Sequence, residues 1–215
     1  MRKILFLSTV ILISLSLHAQ EKTETTIRAQ ASLNTSTFLK TNKSVSSTYG
    51  YVPGYSFGVN LHTVYPSQWG WEGGLNFIQK GGKFNNTLGD PRVHLGYLEG
   101  NAAVVRNFAL ENNDDVFVNA GLFIGGGITG KIKSDSSKIN VPYGEEWKRI
   151  DVGVQLKTGY TFHKTITLGL FMDASLSNAY LQKVIAGGRP GINGKNFSLN
   201  VFGSISLNKL FHVEN

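Results

Sequence analysis

The sequence predicts an all-β chain: an eight-stranded antiparallel up-and-down transmembrane β-barrel with a polar, side-chain-filled lumen. Three observations carry this. Eight segments alternate between apolar and small polar residues, the period of a strand with two unlike faces. The connections between them run long, short, long, short, long, short, long. The apolar faces carry almost no charge, and only 16% of the chain is charged, against ~25% in soluble domains.

The first stretch, "MRKILFLSTVILISLSLHAQ", has Arg2 and Lys3 ahead of an apolar run from Ile4 to Leu17 and a small residue, Ala19. That layout is a cleavable secretory signal over residues 1–19, and the run is short for a membrane helix. Residues 20–215 then form one barrel domain. The chain has no Cys, so neither a disulfide framework nor a Cys-based metal site is available to it. No later stretch reaches the ~18 apolar residues of a spanning helix.

The eight segments follow in order. Ile27–Leu39 sets I, A, A, L, T, T, L against R, Q, S, N, S, F. Tyr55–Tyr65 and Trp69–Phe77 follow, joined by Pro66–Gln68. Leu98–Phe108 is the weakest, because "NAAVV" is apolar on both faces. Val116–Ile128 comes after the turn Glu111–Asp115. Val152–Phe162 and Ile166–Leu176 are separated only by His163, Lys164 and Thr165, and Phe197–Leu207 is last. Most are near the ~9–11 residues of a tilted spanning strand; a mean soluble strand has ~5–6. The long connections are rich in Gly, Ser, Asn and Pro and read as loops. They begin at Lys40, Gly81, Lys133 and Gln182.

Lipid offers no partner to backbone N–H and C=O groups, so a spanning sheet has to close. Arg106 is the one cation on an apolar face and sits near a strand end, where it can snorkel. Trp69, Trp71, Tyr160 and Phe162 read as one aromatic girdle, and Tyr143, Trp147, Tyr180 and Tyr55 as the other. Parity alone leaves a lipocalin-like soluble barrel open, with the apolar face inward and an apolar ligand inside. The polar faces carry Arg28, His62, Glu72, Glu99, Lys131, Asp151, Lys157 and Asp173, which read as a lumen of structural ion pairs.

Chemistry is sparse. "LSNA" (Leu176 to Ala179) resembles part of the lipid A deacylase motif, in which a His stands two residues before a Ser-Asn pair. Here Ser175 stands at that place, so Ser177 lacks its base. The five histidines, His18, His62, His94, His163 and His212, have no metal-ligand spacing. "IGGG" (Ile124 to Gly127) has no following helix and reads as room for close packing. The net charge is +7, but no run of five Lys or Arg marks a nucleic-acid site.

"QKGGKF", "YLEGNAAVV", "DVGVQLKTGY", "SLSNA" and "HAQ" resemble the PorT-like small outer-membrane barrels of Bacteroidetes-type bacteria, related in build to outer-membrane protein X. Two features depart from that pattern: Gly100 and Asn101 follow Glu99, and the chain runs on past Phe211. The resemblance implies an outer-membrane location, contact with outer-membrane lipid and delivery by the barrel-assembly machinery. The expected role is structural or surface-interacting, through long extracellular loops, with no catalysis, cofactor or metal. A lipid-modifying enzyme of the deacylase kind and a soluble ligand-binding barrel are the alternatives.

Overall fold

The computed structural model describes residues 23–40, 48–85, 90–134, 137–141, 143–144, 147–179 and 194–210. The predicted signal segment, Tyr180, Phe211, His18 and His212 lie outside them. Among the described residues ten strands occur: β1 (Glu24–Lys40), β2 (Thr48–Gly50), β3 (Val52–Val64), β4 (Trp69–Asn85), β5 (Arg92–Ala109), β6 (Asp115–Ser134), β7 (Ser137–Asn140), β8 (Ile150–Phe162), β9 (Ile166–Ser175) and β10 (Gly194–Ser206). A four-residue helix, α1 (Leu207–Leu210), follows.

Eight long strands form a closed ring. Each pairs antiparallel with its long neighbours, and β1 pairs with β10 from Arg28↔Ser206 to Lys40↔Gly194 to seal it. Closure leaves no open edge, the condition for a sheet in lipid. The side chain of Asn208 staples the seam: it accepts from Ile27 N–H at 3.2 Å and donates to Thr25 C=O at 2.9 Å.

Burial decides the parity. Leu33, Leu75, Val104, Leu122, Leu168 and Val201 point outward and are exposed, whereas Asn60, Glu72, Asn119, Asp173 and Asn200 are buried inside. This is a transmembrane arrangement, and it rules out the soluble alternative with an apolar interior. Inward aromatics fill the spaces opposite inward glycines on the adjoining strand. An added Cβ on Gly153 would stand 2.5 Å from the Phe123 ring, on Gly159 2.8 Å from Phe117 and on Gly169 2.6 Å from Phe202. Each ring therefore lies where no larger neighbour fits.

Three strands run at least six residues further than their alternation shows. β4 continues through Gly81 and Gly82 to Asn85, β5 begins at Arg92, and β6 reaches Ser134. They project past the spanning length at the end where the long connections lie, and short β2 and β7 pair onto β4 and β6 there. Within β6, Gly127 pairs with Tyr97 and Thr129 with Gly96, so Ile128 is an extra residue. Such a bulge reverses the side of every later residue. Lys131 therefore points outward and is exposed, which corrects its expected place in the lumen.

The other end is closed by tight turns. In the β8–β9 hairpin, His163 and Lys164 have φ of 44° and 56°, as a type I′ turn requires. Asp114 on the neighbouring turn holds this geometry by accepting the His163 N–H at 2.8 Å and the Tyr160 hydroxyl. The His163 N–H and then Tyr160 hold the Asp114 carboxyl below its ordinary range. A depressed carboxylate contributes stability above its unfolded pKa and loses it as pH falls through the lowered folded value. Relative to the intrinsic rate at each pH, hydrogen exchange at the His163 amide should accordingly quicken below the usual carboxylate range and be fast at all pH in Asp114→Ala. An unchanged amide in that variant would show that Asp114 does not hold the turn.

Candidate functional site

The interior has four levels, built by inward residues of successive strands. At the loop end, Phe38, Phe84, Val93, Leu95 and Tyr97 form an apolar core with Val141 and Trp147 from the β6–β8 connection. Phe38 stacks 5.7 Å from Phe84 and lies 5.9 Å from Trp147. Trp147, expected in an outer girdle, is 3% exposed. Tyr143 packs edge-on to Tyr97 at 6.4 Å and donates to Thr129 C=O. Both aromatics help stopper the barrel instead of meeting lipid.

Below this core, Lys80 meets three carboxylates: Glu99 at 2.7 Å, Asp151 at 3.6 Å and Asp173 at 3.7 Å. Its ammonium also lies 3.9 Å from the centre of the Phe123 ring. Gln155 donates to Asp173 at 2.8 Å and Asn196 to Asp151 at 3.2 Å. Lys80 was not legible as a lumen residue, because Ile78 breaks the polar run and Gly81-Gly82 reads as a loop. Continuing the even positions from Gly70 past Ile78 would have found it.

The third level centres on Glu72, which accepts from Lys157 at 2.8 Å and Asn119 at 3.2 Å and contacts His62 Nδ1 at 3.1 Å. Lys157 also donates to Gln30 at 2.7 Å. The Arg28 guanidinium lies 5.3 Å from the centre of the Phe117 ring. Seven of the eight charged or ionisable residues expected in the lumen are therefore there, in two clusters; Lys131 is the exception. A cavity of about 10 Å³ remains at mid-lumen between Gln30, Glu99, Lys157 and Asp173, which is about the room needed for one water.

The fourth level is a vestibule of about 210 Å³ at the turn end, bordered by Arg28, His62, Tyr65, Asn107, Asp115 and Lys164. It stops at the Glu72 cluster. Arg106, on the outside nearby, donates to Ser67 C=O at 2.7 Å and lies 5.2 Å from the centre of the Trp69 ring. Trp69 and Trp71 beside it, and Phe162 at the turn end of β8, are exposed, where the first girdle was expected.

Ser177 lies where β9 ends. Its hydroxyl donates to Asp151 at 3.0 Å and accepts from Val152 N–H at 3.1 Å. The contact ties the end of β9 to β8, and no histidine contacts it among the described residues. Neither does any group of three His, Asp or Glu there have the placement to hold a metal ion. In the "IGGG" stretch, a Cβ on Gly125 would press on Glu99 and one on Gly127 on the Tyr143 ring. These glycines make room for the ionic cluster and the stopper.

No curated protein matches the chain. Among solved structures, it is similar to Neisserial surface protein A, with 11% identity over 87% of this chain and 100% of the other, at a TM-score of 0.47. The outer membrane protein OprG of Pseudomonas aeruginosa gives 8% identity over 86% and 97%, at 0.47. The outer membrane enzyme PagL gives 13% over 82% and 99%, at 0.43. These likenesses do not bear on activity. The family model described as outer membrane protein beta-barrel domain matches residues 18–180. With its closed ring, outward apolar face and polar interior, the chain belongs to the outer membrane protein beta-barrel family.

Proposed function

We propose that the chain is a non-conducting, non-catalytic outer-membrane barrel that acts through its extracellular rim. One observation carries this reading: the lumen is blocked twice, by the apolar core around Phe38 and Trp147 and by the Lys80 and Glu72 clusters. Among the described residues, these groups stand between the vestibule and the loop end. What projects is the sheet built by β2, β4, β5, β6 and β7 together with the long connections, and loops on a rigid scaffold are the usual carriers of recognition. The PorT-like affiliation belongs to the same reading and rests on "QKGGKF", "YLEGNAAVV" and "SLSNA". So do export on residues 1–19 and delivery by the assembly machinery.

Planar-bilayer recording of the refolded chain tests the blocked lumen. The expected result is no stepwise conductance, and steady single-channel steps would refute it. Incubation with lipid A in detergent tests the absence of catalysis. No acyl release is expected from the wild type. Release that disappears in Ser177→Ala would establish a hydrolase, because removing only the strand-end contact would not stop chemistry elsewhere.

A further inference from the structure

Six basic side chains stand on the outward face of the projecting sheet, beyond the lipid-facing apolar band. Register sets four of them side by side across four strands. Lys83 of β4 pairs with Arg92 of β5, Arg92 with Lys133 of β6, and Lys133 with Lys138 of β7. The next row nearer the membrane holds His94 opposite Lys131. Outward parity on β5 joins Arg92 and His94 to Leu98 and Val104, which are exposed to lipid. The Ile128 bulge turns Lys131 and Lys133 to this same side.

Like charges directly opposite in a sheet destabilise it. Among the described residues, one acidic partner meets the row: Asp90, at 2.7 Å from Lys83. Arg92, Lys131, Lys133 and Lys138 are exposed and have no ion pair there. A line of like cations at this spacing attracts anions.

Position identifies the anion. Lys131 lies three residues past Ile128, and Arg92 six before Leu98. At about 3.3 Å per residue and a tilt near 45°, these are roughly 7 and 14 Å above the last lipid-facing apolar residue. Long Lys and Arg stems can lean back toward the membrane from there. We propose that this row binds phosphate groups of the phosphorylated glycolipid headgroups that surround the barrel in the outer leaflet. The row faces sideways over the headgroup zone around the barrel, not along the barrel axis, which favours a neighbouring lipid over a soluble polyanion. The proposal is independent of whether the rim has a protein partner.

The test uses the full chain refolded into phosphatidylcholine vesicles containing a minority of lipid A. Electron spin resonance of spin-labelled lipid A against spin-labelled phosphatidylcholine reads which lipid occupies the first shell. Wild type should select lipid A, and the selection should collapse near 1 M salt, where the Debye length is about 3 Å. Each basic residue near a charged lipid surface contributes about a factor of five. The exposed quadruple variant Lys83→Gln, Arg92→Gln, Lys133→Gln, Lys138→Gln should therefore lose at least tenfold in selectivity. Lys164→Gln with Lys209→Gln, at the turn end, should lose little. Heat-modifiable mobility reports whether the quadruple variant has folded; if it has not, the salt dependence and Arg92→Gln with Lys133→Gln decide. Absence of selectivity in the wild type, or equal selectivity in the neutralised variants, overturns the proposal. So does binding of soluble polyphosphate without any preference for lipid A.

Discussion

Leu170→Arg should largely abolish insertion of the barrel. Leu170 is the middle of β9, with Thr158 opposite on β8 and Val201 opposite on β10. It points into lipid and is exposed. A cation at the bilayer midplane on a barrel's lipid face costs about 2–4 kcal/mol, and near the interface about 0–1 kcal/mol. Folding free energies of single domains are of order 5–15 kcal/mol, so the midplane cost is a large fraction of the whole. Leu176→Arg is the control, because Leu176 is outward too but lies just past the strand end. Refolding into vesicles followed by heat-modifiable mobility should show little folded band for Leu170→Arg and a nearly normal one for Leu176→Arg. Equal yields would mean that residue 170 does not meet hydrocarbon.

Lys80→Met should cost about 3–5 kcal/mol, the usual penalty for removing one partner of a buried ion pair. The loss is severe here because one ammonium serves Glu99, Asp151 and Asp173, and its removal leaves three carboxylates facing each other. The same count makes Asp173→Asn mild. Lys80 keeps Glu99 and Asp151 in that variant, the amide oxygen still accepts from Gln155, and the Ser198 hydroxyl can turn to accept from the amide nitrogen. Lys83→Met, three residues along but outward and half-exposed, should change stability by a few tenths of a kcal/mol, as surface substitutions usually do. Urea unfolding in vesicles would show the order Lys80→Met far below Asp173→Asn, with Lys83→Met near wild type. If Asp173→Asn were as damaging as Lys80→Met, the cluster would depend on its full set of carboxylates rather than on the cation.

Strand number, closure and the outward apolar face were legible because lipid imposes one simple rule on every spanning residue. Val152–Phe162 shows this well: its expected faces match burial residue by residue, with Val154 exposed and Asp151 and Lys157 buried. The rule lapses beyond the bilayer. Past Phe77 on β4 and ahead of Leu98 on β5, water can meet the outer face and apolar side chains such as Phe84, Val93, Leu95 and Tyr97 turn inward, so the alternation changes sense. That is why the strand extensions read as loops and Lys80 went unseen. Lys131 was misplaced for a different reason: the bulge at Ile128 depends on how β6 meets Gly96 and Tyr97, a pairing that no local pattern contains. Trp147 and Tyr143 had the composition of a girdle, but the β6–β8 connection carries them back over the barrel mouth.

The membrane parity of the strands is most directly tested by single cysteines at positions 168 to 173, in a chain that has no other Cys. Each is spin-labelled and measured in lipid for accessibility to oxygen and to a water-soluble paramagnet. The account predicts lipid contact at 168, 170 and 172 and none at 169, 171 and 173, in keeping with exposed Leu168 and Leu170 and buried Phe171 and Asp173. Reversed parity, or water at the even positions, would contradict it.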